Sequence, residues 1–166
     1  MNITVNVSGL NETIRRLEEY RDMLQRQQDE LCRRLAEMGA TNVSLMFARA
    51  IYTGPLDYAV SVEDAGDGRY QIVVSGQSVA FVEFGAGVTY GYGHPQAAEF
   101  GVGPGTYPGQ THAMTGKGWY LPKSKRNNTE YPNCHTYGNP PNMPMYNTAQ
   151  DLKREIARVA REVFST

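Results

Sequence analysis

Residues 10–38 read LNETIRRLEEYRDMLQRQQDELCRRLAEM, and they form the most regular stretch of the chain. The apolar residues that recur here every three, four or seven positions are Leu10, Ile14, Leu17, Leu24, Leu31, Leu35 and Met38. Arg21 and Gln28 occupy two positions of the same stripe. This heptad-like spacing predicts a helix of about eight turns with a narrow apolar face.

A helix this long cannot bury its whole stripe inside a domain of this size. We therefore expect part of it to contact another helix, either the C-terminal one or one in a neighbouring subunit. A surface helix packed only on its own sheet is the alternative.

Two short elements border this helix in the sequence. Ile3, Val5 and Val7 alternate with polar residues, which predicts a half-buried strand. Gly39 is predicted to end the long helix, since glycine is the usual residue just beyond a helix end. Apolar spacing over residues 43–51 then predicts a separate short core helix.

The next segment has the pattern of a β-hairpin. Residues 58–62 and 70–74 each alternate apolar and polar side chains, and residues 66–68, Gly-Asp-Gly, lie between them. The loop is longer than two residues, so the sequence does not fix the pairing register of the two strands to within one or two positions.

Residues 78–85 read SVAFVEFG and contain a carboxylate within an apolar run. Ser78 before the run and Gly85 after it favour two turns of buried helix, although a short buried strand has the same pattern. Glu83 either reaches the surface at the end of this element or accepts hydrogen bonds from amides of the loop that follows.

The C-terminal residues predict a second amphipathic helix, with Asn147 or Thr148 as its cap. Its apolar stripe contains Met145, Ala149, Leu152, Ile156, Val159, Ala160 and Val163. We expect this helix to pack beside the first one across one face of a sheet.

These elements together predict an α+β fold. A small, mostly antiparallel sheet is packed by a long N-terminal helix and a C-terminal helix. Residues 1–166 form a single domain, in which residues 86–144 are an extended loop region rich in glycine, proline and tyrosine.

The composition of this loop region sets it apart. Residues 85–144 hold 11 of the 17 glycines, 8 of the 9 prolines and 6 of the 11 tyrosines. Large aromatic side chains indicate a segment that becomes ordered against something, whether another subunit, a ligand or the protein's own sheet. A short strand is predicted at residues 117–121, around the one tryptophan.

Length, charge and hydrophobicity argue against several classes of protein. The chain has 166 residues and a formal net charge of −1, and 40% of its residues are hydrophobic. This balance argues against wholesale disorder and against nucleic-acid binding over the whole surface. We find no stretch long and apolar enough for a membrane span, and no signal peptide.

The sequence contains no recognisable motif for catalysis or for cofactor binding. His94, His112, His135 and Cys134 match no closed zinc pattern, and the glycine-rich runs match no phosphate-binding motif. We therefore predict no metal, no cofactor and no enzymatic activity. A thiol or metal enzyme using Cys134 and His135 is a minor alternative.

Four stretches, taken in order, resemble a known family. They read VAFVEFGAG (79–87), GVGPGTYPG (101–109), KGWYLP (117–122) and HTYGNPPNMPMYNTAQDLKREIARVAREVF (135–164). In this order they are similar to the minor head–tail joining or tail-completion ("neck") proteins of long-tailed double-stranded DNA phages and prophages. The resemblance covers residues 8–164.

The resemblance implies a structural virion protein made in the host bacterial cytoplasm. It would form a ring of six copies at the head–tail junction, between the head connector or adaptor proteins and the tail tube protein. DNA would only pass through the channel, and no membrane would be involved. We expect loop-anchoring and inter-subunit roles for nine residues: Phe81, Glu83, Phe84, Gly85, Trp119, Tyr137, Gly138, Met145 and Tyr146.

A second hypothesis from the same residues is a non-viral module. In this hypothesis the glycine- and tyrosine-rich loop binds a peptide, glycan or other ligand, and the protein is a stable monomer.

Overall fold

A computed structural model describes residues 8–90, 93–102, 116–121, 124–126, 129–131 and 133–165. The strand predicted at Ile3, Val5 and Val7 lies outside these residues. The fold is α+β, as predicted, with three helices and six short strands in the described ranges.

The first helix, α1, is one continuous helix, Ser8–Ala48. The predicted stop at Gly39 and the separate helix at residues 43–51 are therefore wrong. Gly39 is buried inside α1, where an added Cβ would overlap the side chain of Ile72 and lie 2.8 Å from Leu152. This glycine serves close packing of α1 against its neighbours, and it does not end the helix.

We expect the substitution Gly39→Ala to lower the free energy of unfolding by about 1 kcal/mol. Alanine favours an α-helix over glycine by about 1 kcal/mol, but displacing Ile72 and Leu152 costs more. Chemical denaturation measures the effect. Gly9→Ala is the control, because Gly9 lies in the same helix with no atom within 4 Å of its added Cβ. An equal gain in stability from both substitutions would contradict the packing role.

The predicted hairpin is confirmed. Strands β1 (Ala59–Asp64) and β2 (Tyr70–Ser75) are antiparallel, with Val60 opposite Val74 and Val62 opposite Ile72. Gly66, Asp67 and Gly68 all have positive φ and form the turn.

The helix predicted at residues 78–85 is also confirmed. Helix α2 is Val79–Phe84, with Ser78 and Gly85 at its two ends. The Ser78 hydroxyl does not cap this helix. It donates to the carbonyl of Asp57 at 2.9 Å and accepts from the amide of Asp57 at 2.8 Å, which ties α2 to the entry of β1.

The C-terminal helix, α3, is Pro144–Phe164. It begins earlier than predicted, so the caps proposed at Asn147 and Thr148 are wrong. The residue at the N-cap position is Met143, with φ 55°, and its side chain makes no capping hydrogen bond. Pro144 favours this start, because its fixed φ suits the first helical position and it has no N–H to satisfy.

Helices α1 and α3 pack antiparallel, as three contacts show. Gln27 Nε2 donates to the carbonyl of Val163 at 3.3 Å, Arg158 approaches the sulfur of Met38 at 3.9 Å, and the Thr148 hydroxyl donates to the sulfur of Met46 at 3.7 Å. The expectation that part of the long helix contacts the C-terminal one is confirmed, from Gln27 to Met46.

The core lies where α1, the hairpin and α2 meet. Val43, Phe47 and Val82 are fully buried, and Phe47 stacks on Tyr58 with ring centroids 5.0 Å apart. Val82 thus fixes the middle of α2 to the scaffold, while Ser78 fixes its N-terminal end.

The predicted loop region contains four short strands among its described residues. They are β3 (Trp119–Leu121), β4 (Ser124–Arg126), β5 (Thr129–Tyr131) and β6 (Cys134–Thr136). Strand β3 pairs antiparallel with β6, and β4 with β5. The β structure is therefore divided into three two-stranded sheets, and β3 coincides with the strand predicted at residues 117–121. No described helix is long and apolar enough to cross a lipid bilayer.

Candidate functional site

Glu83 lies at the centre of the candidate site. It sits in the last turn of α2 and is only 6% exposed. Its Oε2 accepts from the amide of Met145 at 2.8 Å, and its Oε1 accepts from the amide of Tyr146 at 2.9 Å. Of the two roles expected for this carboxylate, the structure shows the hydrogen-bond acceptor, with donors in the first turn of α3.

This carboxylate serves as a remote cap for α3. The first turn of α3 contains no acidic residue, and its free N–H groups carry the positive end of the helix dipole. Glu83 supplies the missing negative charge from 62 residues earlier in the chain. Backbone bonds reinforce the junction, because Asn142 N donates to the carbonyl of Val82 at 2.9 Å.

His94 donates the third hydrogen bond to Glu83. Its Nδ1 accepts from the amide of Gln96 at 3.1 Å, so in a neutral ring the proton must be on Nε2, which lies 3.1 Å from Oε1 of Glu83. The imidazole is packed near the rings of Phe84 and Tyr146, with centroids 4.4 and 5.5 Å away. A neutral histidine in this tautomer completes the shell of donors around the carboxylate.

Two asparagines hold the chain leading into α3 in place, one against α2 and one against the segment that follows α1. Asn139 Nδ2 donates to the carbonyl of Phe81 at 2.8 Å, and its backbone exchanges two 3.0 Å hydrogen bonds with Ala86. Asn142 Oδ1 accepts from the amide of Ile51 at 2.8 Å, and its Nδ2 donates to the carbonyl of the same residue at 3.1 Å. Sequence reasoning missed both asparagines, although their setting among prolines and Gly138 marked a turn-rich segment.

Gly85 and Gly138 allow the two chain segments to approach each other. Gly85 has φ 81°, and an added Cβ would lie 2.8 Å from the nitrogen of Pro141. Gly138 has φ 99°, and an added Cβ would overlap the carbonyl oxygen of Ala86. Both positions therefore require glycine for backbone conformation and for space.

Eight of the nine predicted residues fall into two clusters. Glu83, Phe84, Met145 and Tyr146 line an open cavity of about 660 Å³, together with His94 and Phe100. The ring of Phe100 is 60% exposed and lies 5.7 Å from Phe84. We call this group the Glu83 corner; Gly85 is at its edge.

Phe81, Trp119 and Gly138 line a second, smaller cleft of about 100 Å³. Trp119 stands opposite Thr136 in the β3–β6 pair. Tyr52 lines the same cleft, and burial there raises the pKa of its phenol. Trp119 and Tyr146, which are both expected to build inter-subunit contacts, line different cavities.

Tyr137 lies apart from both cavities in an exposed row of aromatic rings. His135 packs edge-on between Tyr120 and Tyr137, with centroids 5.0 and 4.9 Å away. Tyr120 is 66% exposed and Tyr137 is 50% exposed. We call Tyr120, His135 and Tyr137 the aromatic row.

The structure does not bring Cys134 and His135 together as a nucleophile and base. They are successive residues of β6, so their side chains point to opposite faces of the strand pair. His135 Nε2 instead lies 3.1 Å from the carbonyl of Lys117. Among the described residues, no group of three or more histidine, cysteine, aspartate and glutamate side chains is placed to hold a metal ion.

Comparison with known proteins adds no relative. The chain matches no protein-family model, and neither the curated proteins nor the solved structures contain a detectable match.

Proposed function

We propose that this chain is a structural subunit of the head–tail junction of a long-tailed double-stranded DNA phage. Copies would assemble into a ring of six between the head connector or adaptor proteins and the tail tube protein. DNA would pass through the channel without being gripped, consistent with a net charge of −1. The chain would act by shape and contact, without catalysis.

One observation carries the proposal. The two motifs on which the family resemblance mainly rests, residues 81–85 and residues 138–146, contact each other directly. Glu83 joins them through the amides of Met145 and Tyr146. Two motifs that are far apart in the sequence thus form one structural unit. This supports the interpretation that both belong to the same family pattern.

The aromatic row supports a role in contacts between subunits. Tyrosine is enriched at protein interfaces because its ring is apolar and its hydroxyl still bonds to water or a partner. In the described part of the chain, these rings project from a β-strand pair outside the core, and Phe100 adds a further exposed ring at the Glu83 corner.

Electron microscopy of lysates tests this function. A phage lacking this gene product should yield full heads and finished tails that are not joined; heads without any tails would indicate a tail-assembly role instead. Complementation with Tyr120→Ala/Tyr137→Ala should fail, whereas Tyr90→Ala, which alters another half-exposed tyrosine, should restore virions. Normal virions in the absence of the protein would overturn the proposal.

The open cavity at the Glu83 corner favours a second candidate, a module that binds a peptide or glycan. Phe84, Phe100 and Tyr146 give this cavity an aromatic lining. Light scattering and ligand titration separate the two functions, because this candidate requires a monomer that binds its ligand without virion components.

A further inference from the structure

The N-terminal part of α1 extends beyond the rest of the described structure. Helix α3 reaches only to Gln27, whose side chain bonds to the carbonyl of Val163. Residues 8–26, which we call the overhang, therefore continue past the end of α3 for about 28 Å at 1.5 Å per residue.

The overhang exposes the apolar stripe that the sequence places there. Leu10, Ile14, Leu17 and Leu24 are 55%, 44%, 62% and 36% exposed. The same stripe continues along α1 to Leu31, Leu35 and Met38, where α3 packs and these side chains become partly buried. One face of α1 is thus covered by a helix over half of its length and uncovered over the other half.

The spacing of this stripe specifies what could cover it. Leu10, Leu17 and Leu24 occupy d positions of a heptad repeat, and Ile14, Arg21 and Gln28 occupy a positions. A 3.5-residue repeat packs knobs-into-holes only against a helix with the same repeat. In the described ranges, the overhang is the long run of exposed apolar residues with that repeat, since α3 packs on α1 and leaves only Ile156 and Phe164 among its large apolar side chains exposed.

We propose that the overhang pairs with the overhang of a second copy of this chain as an antiparallel coiled coil. In the best register, Ile14 packs against Leu24 of the second copy, and Leu17 packs against its Arg21. Six layers form between residues 10 and 28, and each exposed leucine of the stripe is covered.

Charge favours the antiparallel direction. A parallel pair would place Arg21 directly opposite its counterpart in the centre of the interface, where like charges repel. The antiparallel pair separates the two arginines along the axis and brings each beside Glu18 of the second copy. Asp22 already bonds Arg21 at 2.8 Å, so the guanidinium enters the interface partly neutralised.

The pairing also continues an interface that already exists. In this register Leu10 of the second copy reaches Gln28, beside the point where α3 ends. The second overhang therefore extends the line of α3 along α1.

The inference does not rest on the proposed function, because a two-fold pair closes on itself, whereas ring contacts run from head to tail. It describes the protein before assembly.

Sedimentation velocity of the full chain tests the pairing. We expect a monomer that converts to a dimer over about 1–100 µM, the range of a modest interface. Leu17→Lys should weaken the dimer by about 100-fold, since it removes an apolar side chain and places a second positive charge beside Arg21 of the other copy. The matched control is Leu45→Lys, because Leu45 is 50% exposed on the same helix outside the overhang, and it should leave the dimer intact.

A protein that stays monomeric over this range overturns the proposal, as does a Leu17→Lys variant that dimerises like the unmodified chain. Circular dichroism checks that each variant keeps its helix content, so a loss of dimer is not a loss of fold.

Chemical cross-linking tests the direction. Cys32→Ser and Cys134→Ser first remove the two native thiols. A short bismaleimide should then join two copies carrying Tyr20→Cys, which meet near the two-fold axis of the antiparallel pair. It should not join copies carrying Leu24→Cys, which lie about 15 Å apart along the helix axis. The reverse result would overturn the antiparallel arrangement.

Discussion

Glu83→Ala should lower the free energy of unfolding by about 3–5 kcal/mol and the melting temperature by about 10 °C. The substitution removes the acceptor for the amides of Met145 and Tyr146 and for the ring N–H of His94. All three donors lose a charged acceptor, and Glu83 itself is only 6% exposed to water. Differential scanning calorimetry measures the change.

The variant Glu83→Gln separates the effect of the charge on stability from the effect of the side-chain volume. It keeps the shape of the side chain but turns an NH₂ group toward N–H donors, so we expect a smaller loss of about 1–3 kcal/mol. Glu63→Ala is the control, since Glu63 is exposed on β1, and it should change stability by less than about 0.5 kcal/mol. Equal melting temperatures for Glu83→Ala and Glu63→Ala would contradict the capping role.

Gly138→Ala should cost about 3 kcal/mol or more, because it combines an unfavourable backbone conformation with a steric overlap. Its φ of 99° disfavours any L-residue with a side chain, and the new Cβ would overlap the carbonyl oxygen of Ala86. That carbonyl accepts one of the two hydrogen bonds between Ala86 and Asn139. Urea denaturation gives the energy, and hydrogen exchange at the Ala86 amide reports the lost pairing.

A second glycine separates the two contributions. Gly66 also has positive φ, at 77°, but no atom lies within 4 Å of its added Cβ. Gly66→Ala therefore carries the backbone cost alone, about 1 kcal/mol. If both variants lost the same stability, steric contact at Gly138 would be excluded as a cause.

The parts of the fold that follow from local patterns were predictable. The stripe from Leu10 to Met38 identified α1, alternating residues on either side of 66–68 identified the hairpin, and Ser78 with Gly85 bounded α2. In each case the evidence lies within one turn or one strand of the residue concerned.

Features that depend on a distant neighbour were not predictable. Gly39 has the sequence signal of a helix end, and only the approach of Ile72 and Leu152 explains it as a packing residue. Likewise, Asn147 and Thr148 are good caps by type, but Glu83 had already supplied the acceptor for that helix. Pattern analysis identified Glu83 as unusual, yet it could not assign His94 as its partner.

The hydrogen bonds of Glu83 have a consequence for biosynthesis. As the polypeptide leaves the ribosome, the carboxylate emerges well before its amide donors, which follow 62 and 63 residues later. Until those amides are synthesised, burial of the unpaired carboxylate is unfavourable, so Val82 of α2 cannot pack fully against Val43 and Phe47. The nascent chain should therefore expose apolar surface through most of its translation and complete its core late, which makes it a candidate client for chaperones.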